Sequence, residues 1–159
     1  MNAITVIIES PKGAGHKYDY EPELNCFKLK KILPAGLVFP FDFGFIVKTK
    51  GEDDDPLDVL VISEIQTFPG CCMDCRIIGV IKANQTERDG KTLRNDRFLA
   101  VPEVSQLYKD VHEIHQIPKG MIDQIENFFI NYNNQAGKKF EILGRETAAA
   151  AFKMIDIKA

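Results

Sequence analysis

The sequence predicts an α+β fold in which a small closed β-barrel carries helices on one side. Short runs of β-branched and aromatic residues, separated by Gly, Pro and Asp, fill the first hundred positions, and this pattern is typical of a barrel or a sandwich. After Pro102 the apolar residues recur instead at helical spacing. We therefore expect the strands to come first and the helices to be added by the C-terminal part of the chain.

Strands are predicted throughout this first part. The alternation is clearest at residues 26–33, where Phe27 and Leu29 share one face and Lys28 and Lys30 share the other. The other predicted strands are short apolar runs bounded by turn residues, at 4–9, 43–49, 57–63, 76–83 and 98–101.

Two helices with a strand between them are predicted for the second part. Residues 118–133 give the clearest helix, because Pro118 suits a first turn and the apolar residues fall on one face. A strand at 139–143 and an Ala-rich amphipathic helix at 145–157, after Gly144, complete the prediction. The apolar face of the first helix consists of Ile122, Ile125, Phe129 and Tyr132.

Composition limits the classes of protein to which the chain can belong. Its 159 residues are enough for one domain, residues 1–159, with a full core. A net charge of −3 argues against nonspecific nucleic-acid binding. No apolar run is long enough for a bilayer and no secretory signal is visible. Three of the four cysteines lie in one short run, which suits free thiols in a reducing compartment. We therefore expect a cytoplasmic protein.

A dense group of acidic residues is the main functional signal. Residues 53–58 read Asp-Asp-Asp-Pro-Leu-Asp and continue directly into the apolar run 59–62. Carboxylates this close repel one another unless a cation lies among them, so the segment predicts a divalent-metal site at the end of a strand. An EF-hand calcium loop does not fit, because Asp58 occupies its glycine position. A solvated polar turn remains the alternative.

Basic residues supply a second part of the prediction. Lys17, Lys31 and Arg97 would each be ordinary surface charges alone. Beside a carboxylate-bound metal they would suit a polyanion, because Lys and Arg neutralise phosphate oxygens. A zinc site is a weaker alternative, since the spacing between its Cys and His pairs is long for such sites. Its ligands would be Cys72, Cys75, His112 and His115.

These residues resemble a known family, the family I soluble inorganic pyrophosphatases. Residues 53–61 match its signature, D-x-D-P-x-D followed by an apolar strand. The resemblance covers nearly the whole chain, with an expansion between Asn84 and Asp96. Further segments fall in the family order, at 8–11, 17–19, 39–45, 99–102, 127–132 and 144–148.

The resemblance implies fold, activity and partners. The fold would be an oligonucleotide-binding-type barrel flanked by helices, usually in a homo-oligomer. The activity would be Mg²⁺-dependent hydrolysis of pyrophosphate to two orthophosphates, with Mn²⁺ as an alternative metal. No nucleic-acid or membrane partner is expected.

The resemblance also implies a role for individual positions. Metal ions would lower the pKa of a water molecule, and a carboxylate would take its proton. By position, Asp55 would be that base and Asp54 would be a turn residue. The implied metal ligands are Asp53, Asp58, Glu9, Asp19 and Asn95. The implied phosphate-binding residues are Lys17, Lys31, Arg97 and Tyr132.

Several positions depart from the family pattern. Gln85 and Asn95 stand where aspartates are expected, and an amide oxygen can bind Mg²⁺ but brings no charge. Three hypotheses therefore stay open: a pyrophosphatase with slow turnover or altered metal demand, a phosphohydrolase of another diphosphate, and a non-catalytic metal or phosphate sensor. The other departures are Phe39 and Phe43 for tyrosines, Asn133 for a lysine, Lys31 for an arginine, Asp19 for a glutamate and Arg97 for a lysine.

Overall fold

A computed structural model describes residues 2–157 of the chain. Over this range the two α-helices are α1 (Lys119–Gln135) and α2 (Ala148–Lys153). No helix among these residues has the length and apolar character needed to cross a membrane. The strands are β1 (Ile4–Ser10), β2 (His16–Glu21), β3 (Cys26–Ile32), β4 (Asp42–Ile46), β5 (Asp58–Val61), β6 (Cys72–Thr86), β7 (Thr92–Arg94), β8 (Arg97–Pro102) and β9 (Lys139–Thr147).

Five strands close into a ring. Strand β1 pairs with β4 and β6, β4 pairs with β5, β5 pairs with β8, and β8 pairs back with β6. Only the β5–β8 pair of the ring is parallel. The predicted α+β class with a small closed barrel is therefore confirmed. Strands β7 and β9 extend the sheet from β6, and β2 and β3 form a separate hairpin.

Strands β4, β5, β6 and β8 of the ring each contribute residues to two different apolar clusters, as the alternation of side chains along a strand allows. On β5, Val59 belongs to a cluster with residues from all five ring strands, which fills the barrel. Its neighbour Leu60 belongs to the second cluster, which packs the outer wall against α1. Ile122, Ile125 and Phe129 of α1 are buried there, as the predicted apolar face requires.

Several predicted strand lengths are wrong, including that of β5, which spans Asp58–Val61 instead of 57–63. Strand β6 spans 15 residues instead of the eight at 76–83, because it pairs with four other strands along its length. Strand β4 ends at Ile46, before the predicted residue 49. It ends there because Lys48 adopts a left-handed backbone with φ of 61°, which breaks the strand.

The predicted helix at 145–157 is also wrong in its start and length. Strand β9 continues through Gly144 to Thr147, and Arg145 pairs in register with Ile81 of β6. Gly144 has φ of 149°, and the register shifts beside it, so the strand bends there and does not stop. Helix α2 begins only at Ala148, where the Thr147 hydroxyl accepts a hydrogen bond from the N–H of Ala150.

Candidate active site

A cavity of about 850 Å³ opens where the β2–β3 hairpin, the acidic loop, β6 and the C-terminal end of α1 meet. It is lined by all ten residues for which the family resemblance implies a catalytic, phosphate-binding or metal-binding role. The four positions 39, 43, 85 and 133, at which the chain departs from the family pattern, line it as well. The tertiary structure therefore gathers into one place residues that lie up to 124 positions apart in the sequence.

The acidic loop is a closed turn that presents its carboxylates individually. The N–H of Gly51 donates to the carbonyl of Asp55 at 2.7 Å, and the N–H of Asp55 donates to Asp53 Oδ1 at 3.2 Å. Asp54 has φ of 69° and pairs with Lys50 at the surface. Asp54 is therefore the turn residue that the sequence suggested, and it does not line the cavity, whereas Asp53 and Asp55 do.

Asp58 begins β5 beside Arg97, the first residue of the parallel strand β8. Its Oδ2 lies 2.9 Å from Arg97 Nη1. Burial raises the pKa of Asp58 to about 6, against the opposing effects of Arg97 and Lys17. Asp53 and Asp55 raise it further by repulsion.

Two further carboxylates of the cavity also have raised pKa values. Burial raises the pKa of Glu9 to about 7, although the N–H of Tyr20 donates to its Oε2 at 2.7 Å. Burial and the nearby carboxylates of Asp53 and Asp19 also raise the pKa of Asp55. Groups that hold their protons in this way are short of positive charge. The oxygen donors therefore fit a hard divalent cation.

The carboxylates do not yet enclose such an ion. Among residues 2–157 no three His, Cys, Asp or Glu side chains converge closely enough to hold a metal. The fit of the site to a divalent ion thus rests on the type of donor and on the raised pKa values. The same finding gives the Cys–His zinc hypothesis no support: Cys75 is buried in the barrel, while Cys72, His112 and His115 are exposed.

Arg97 is a buried cation of the site and contacts several of its groups. Its side chain is only 5% exposed, and its guanidinium carbon lies 4.8 Å and 4.9 Å from the ring centres of Phe129 and Phe140. Besides Asp58, its Nη1 donates to Asn95 Oδ1 at 2.7 Å. The oxygen of Asn95, expected by resemblance to be a metal ligand, is therefore taken up by Arg97 here.

Two buried donors in the cavity lack a partner. In the part of the chain that the structure describes, only Arg97 Nε and Tyr132 Oη are buried side-chain polar atoms without a hydrogen bond. Leaving such a group unpaired costs about 1–3 kcal/mol, so buried polar atoms are nearly always satisfied. Two of them in one cavity mark a place for a ligand that carries acceptor oxygens.

Lysines complete the positive side of the cavity. Lys17 Nζ lies 3.3 Å from Asp19, and although burial lowers the pKa of Lys17, the charges of Tyr132, Asp19 and Asp58 raise it overall. Lys31 Nζ lies 4.2 Å from the ring centre of Tyr132. The β2–β3 pairing shifts register between Lys17 and Tyr18, and as a result Lys30 and Lys31 both line the cavity.

Sequence reasoning missed one wall of the cavity. Lys91, Glu87 and Lys138 also line it, and Lys138 pairs with Glu87 at 3.0 Å. The expanded segment 84–96 folds back as the β6–β7 hairpin, which brings Lys91 over the site. No local signal marks these residues, because lysine and glutamate are common on protein surfaces.

Comparisons with known proteins point to one family. The family model described as Inorganic pyrophosphatase matches residues 6–158. An inorganic pyrophosphatase of Halalkalibacterium halodurans is 39% identical over 96% of this chain and 91% of its own length. One from Haloferax volcanii is 36% identical over 96% of this chain and 84% of its own length. The crystal structure of inorganic pyrophosphatase from Thermus thermophilus has a TM-score of 0.89 at 30% identity, covering 97% of this chain and 87% of that chain.

Proposed function

Because this chain belongs to the inorganic pyrophosphatase family, we propose that the cavity is its active site and that the ten lining residues carry out the hydrolysis. The protein is an inorganic diphosphatase, a metal-dependent hydrolase that converts pyrophosphate to orthophosphate. The observation that best supports the location is the pair of unpartnered buried donors, Arg97 Nε and Tyr132 Oη. Both residues line the same cavity as the carboxylates with raised pKa values, and pyrophosphate with its metal needs both kinds of group.

Substrate binding is assigned to the positive side of the cavity. Lys17, Lys31 and Arg97 would neutralise phosphate oxygens, and charge-assisted hydrogen bonds of this kind are the strong ones. Tyr132 Oη would donate to a further oxygen. The ring of Tyr132 is held by Lys31 on one side and by Phe128 at 5.7 Å, so its hydroxyl keeps a fixed position.

Metal binding is assigned to the carboxylate side. The ligands would be Asp53 and Asp58, with Glu9 and Asp19 around a further ion. Asn95 could contribute only an uncharged oxygen, and only by giving up its hydrogen bond from Arg97. We propose Mg²⁺ as the resident metal because oxygen donors suit hard cations, with Mn²⁺ accepted by the same ligands. A bound divalent ion neutralises phosphate charge and lowers the pKa of the water that it coordinates.

Asp55 is assigned as the base that accepts the proton of the attacking water. Burial, the carboxylate of Asp53 in the same loop and that of Asp19 raise its pKa. A general base is more effective when its pKa approaches the working pH. Asp55 forms no ion pair among the described residues, so its carboxylate stays available for the proton.

The assay is phosphate release from pyrophosphate with Mg²⁺, with Mn²⁺ and with EDTA. We expect Asp55→Asn to lower kcat by about 100-fold or more, in the range typical of a lost general base. Asp54→Asn is the matched control, because it makes the same change one residue away at an exposed left-handed position that Asn tolerates. Equal losses in the two variants, or no turnover with either metal, would contradict the assignment. Turnover of a nucleotide or sugar diphosphate in preference to pyrophosphate would favour the second hypothesis, and tight binding without turnover would favour the sensor.

We also propose a homo-oligomer, assembled through an exposed apolar patch. Glu64 connects the loop after β5 with the loop after β8. It accepts hydrogen bonds from Ser105 Oγ at 2.7 Å and from the N–H of Leu107 at 2.8 Å. Sedimentation of Leu107→Ser beside the wild type tests this proposal. The patch consists of Ile65, Val104 and Leu107, which are 55% to 79% exposed.

Two remaining proposals concern the organisation and the location of the chain. We propose that residues 1–159 form one domain, because β6 pairs both with β1 near the start of the chain and with β9 near its end. We propose a cytoplasmic location, because the exposed thiols of Cys26 and Cys72 are free, and such thiols persist in a reducing compartment.

A further inference from the structure

We propose that the Arg97 guanidinium is a built-in cation of the acidic site, that Asn95 and Gln85 are the positioning residues that fix it there, and that it takes the place of one divalent ion. The inference deepens the proposed function, since it rests on the cavity being the metal and phosphate site. It concerns the two amide positions and the arginine that set this chain apart from the family pattern.

A directed chain of hydrogen bonds holds the guanidinium. Arg97 Nη1 donates to Asn95 Oδ1 at 2.7 Å, and Asn95 Nδ2 donates to Gln85 Oε1 at 2.9 Å. Gln85 Nε2 donates to Glu87 Oε1 at 2.8 Å, and the other oxygen of Glu87 pairs with Lys138 at 3.0 Å. Arginine can only donate and an ionised carboxylate can only accept, so both ends of the chain fix the orientation of the amides.

An aspartate at either amide position would break this polarity. An ionised carboxylate at position 95 could not donate to Gln85, and one at position 85 could not donate to Glu87. The neutral amides are therefore matched to the arginine that they support. Two vacant metal ligands would have free oxygens, whereas the side-chain oxygens of Asn95 and Gln85 both accept hydrogen bonds.

Packing keeps the guanidinium in this position. Its carbon lies within 5 Å of the ring centres of Phe129 and Phe140 and 5.9 Å from that of Phe43. A flat, delocalised and weakly hydrated cation suits such faces better than an ammonium group does. Phe43, which replaces a tyrosine of the family pattern, thus forms part of the seat of Arg97.

The charge of the cavity agrees with an internal cation. Seven carboxylates and six cationic side chains line it, which leaves a formal charge of −1 before any metal binds. Aspartates at positions 85 and 95 would make that charge −3. Affinity for a divalent ion depends on the charge of its ligands, and Arg97 competes directly with a metal for Asp58 at 2.9 Å.

The test is Mn²⁺ binding to the full chain, without pyrophosphate, by equilibrium dialysis and by the electron paramagnetic resonance signal of free Mn²⁺. We expect the Gln85→Asp/Asn95→Asp double variant to bind one more Mn²⁺ per chain than the wild type. Asn131→Asp is the matched control, since it adds the same kind of charge at an exposed position of α1 that does not line the cavity, and we expect it to bind as the wild type does. An unchanged number of ions in the double variant would overturn the inference.

A second variant, Arg97→Gln, tests the competition between the guanidinium and the metal ion. Arg97→Gln removes the competing cation and keeps hydrogen-bonding groups, so we expect Mn²⁺ affinity at the site to rise at least tenfold. Arg97→Lys keeps the charge, so its Mn²⁺ affinity should rise less. Unchanged or weaker binding by a folded Arg97→Gln variant would refute the inference even if the double variant fails to fold. Metal binding is read here without turnover, so absence of hydrolysis by the wild type would count against the proposed function alone.

Discussion

Glu9 should destabilise the metal-free protein at alkaline pH, and its replacement by Gln should relieve that cost. Its carboxylate is half-buried beside Asp19 and Asp58. Burial raises its pKa from 4.5 to about 7, while the hydrogen bond from the N–H of Tyr20 opposes the change. The folded chain therefore holds the Glu9 proton over a pH range in which the unfolded chain has released it. The stabilisation that this proton provides is complete below pH 4.5 and is lost as the pH rises through 7.

The size of the effect follows from the two pKa values. One pKa unit corresponds to about 1.4 kcal/mol, so the rise from 4.5 to about 7 amounts to about 3 kcal/mol at pH 8. The amide of Gln keeps an acceptor for the Tyr20 N–H, and the stronger bond of that N–H to the charged carboxylate is already contained in the pKa of about 7. We therefore expect Glu9→Gln to raise the free energy of unfolding by about 3 kcal/mol at pH 8. At about 2–4 °C per kcal/mol for a chain of this size, Tm should rise by about 9 °C.

Urea and thermal unfolding in EDTA, at pH 8 and again below about pH 4, measure this directly. The gain of Glu9→Gln should disappear at the lower pH, where Glu9 is protonated in both states. Glu23→Gln is the matched control at an exposed position of the neighbouring turn, and it should change little at either pH. A gain of the same size at both pH values, or no gain at pH 8, would refute the reasoning. Saturating Mg²⁺ should make the wild type more stable than Glu9→Gln at pH 8. The ion binds the folded protein, and its positive charge stabilises the ionised Glu9 carboxylate.

Three further predictions concern single groups. Tyr132→Phe removes an unpartnered buried hydroxyl, so steady-state kinetics should show a KM for pyrophosphate raised by about fivefold to tenfold, with stability unchanged or improved; an unchanged KM would exclude Tyr132 from substrate binding. Gly44→Ala should cost more than about 3 kcal/mol in urea unfolding, since its Cβ would collide with the carbonyl of Ile7, whereas Gly120→Ala, with open space around it, should be neutral or stabilising. Thr147→Ala should cost about 1 kcal/mol of unfolding free energy through loss of the α2 N-cap, and no loss would show that the cap is dispensable.

The acidic part of the site could be predicted because its carboxylates lie close together in the sequence. Asp53, Asp55 and Asp58 lie within six residues, and their mutual repulsion indicates a cation without any knowledge of the fold. The barrel strands and the apolar face of α1 were predictable for a similar reason, since alternation and helical spacing are short-range patterns. The start of α2 was not, because Gly144 reads as a helix boundary until the pairing of Arg145 with Ile81 is known.

By itself the sequence determined the class of fold, the acidic loop and the family pattern, because each depends on residues close together in the chain. Only the tertiary structure decided where Arg97 lies. The parallel pairing of β5 and β8 sets it beside Asp58, 39 positions earlier, and the pairing of β6 with β8 and β9 brings Gln85, Asn95 and the aromatic rings around it. Long-range strand pairing of this kind leaves no mark in the local sequence, although it fixes where the charges of the site meet.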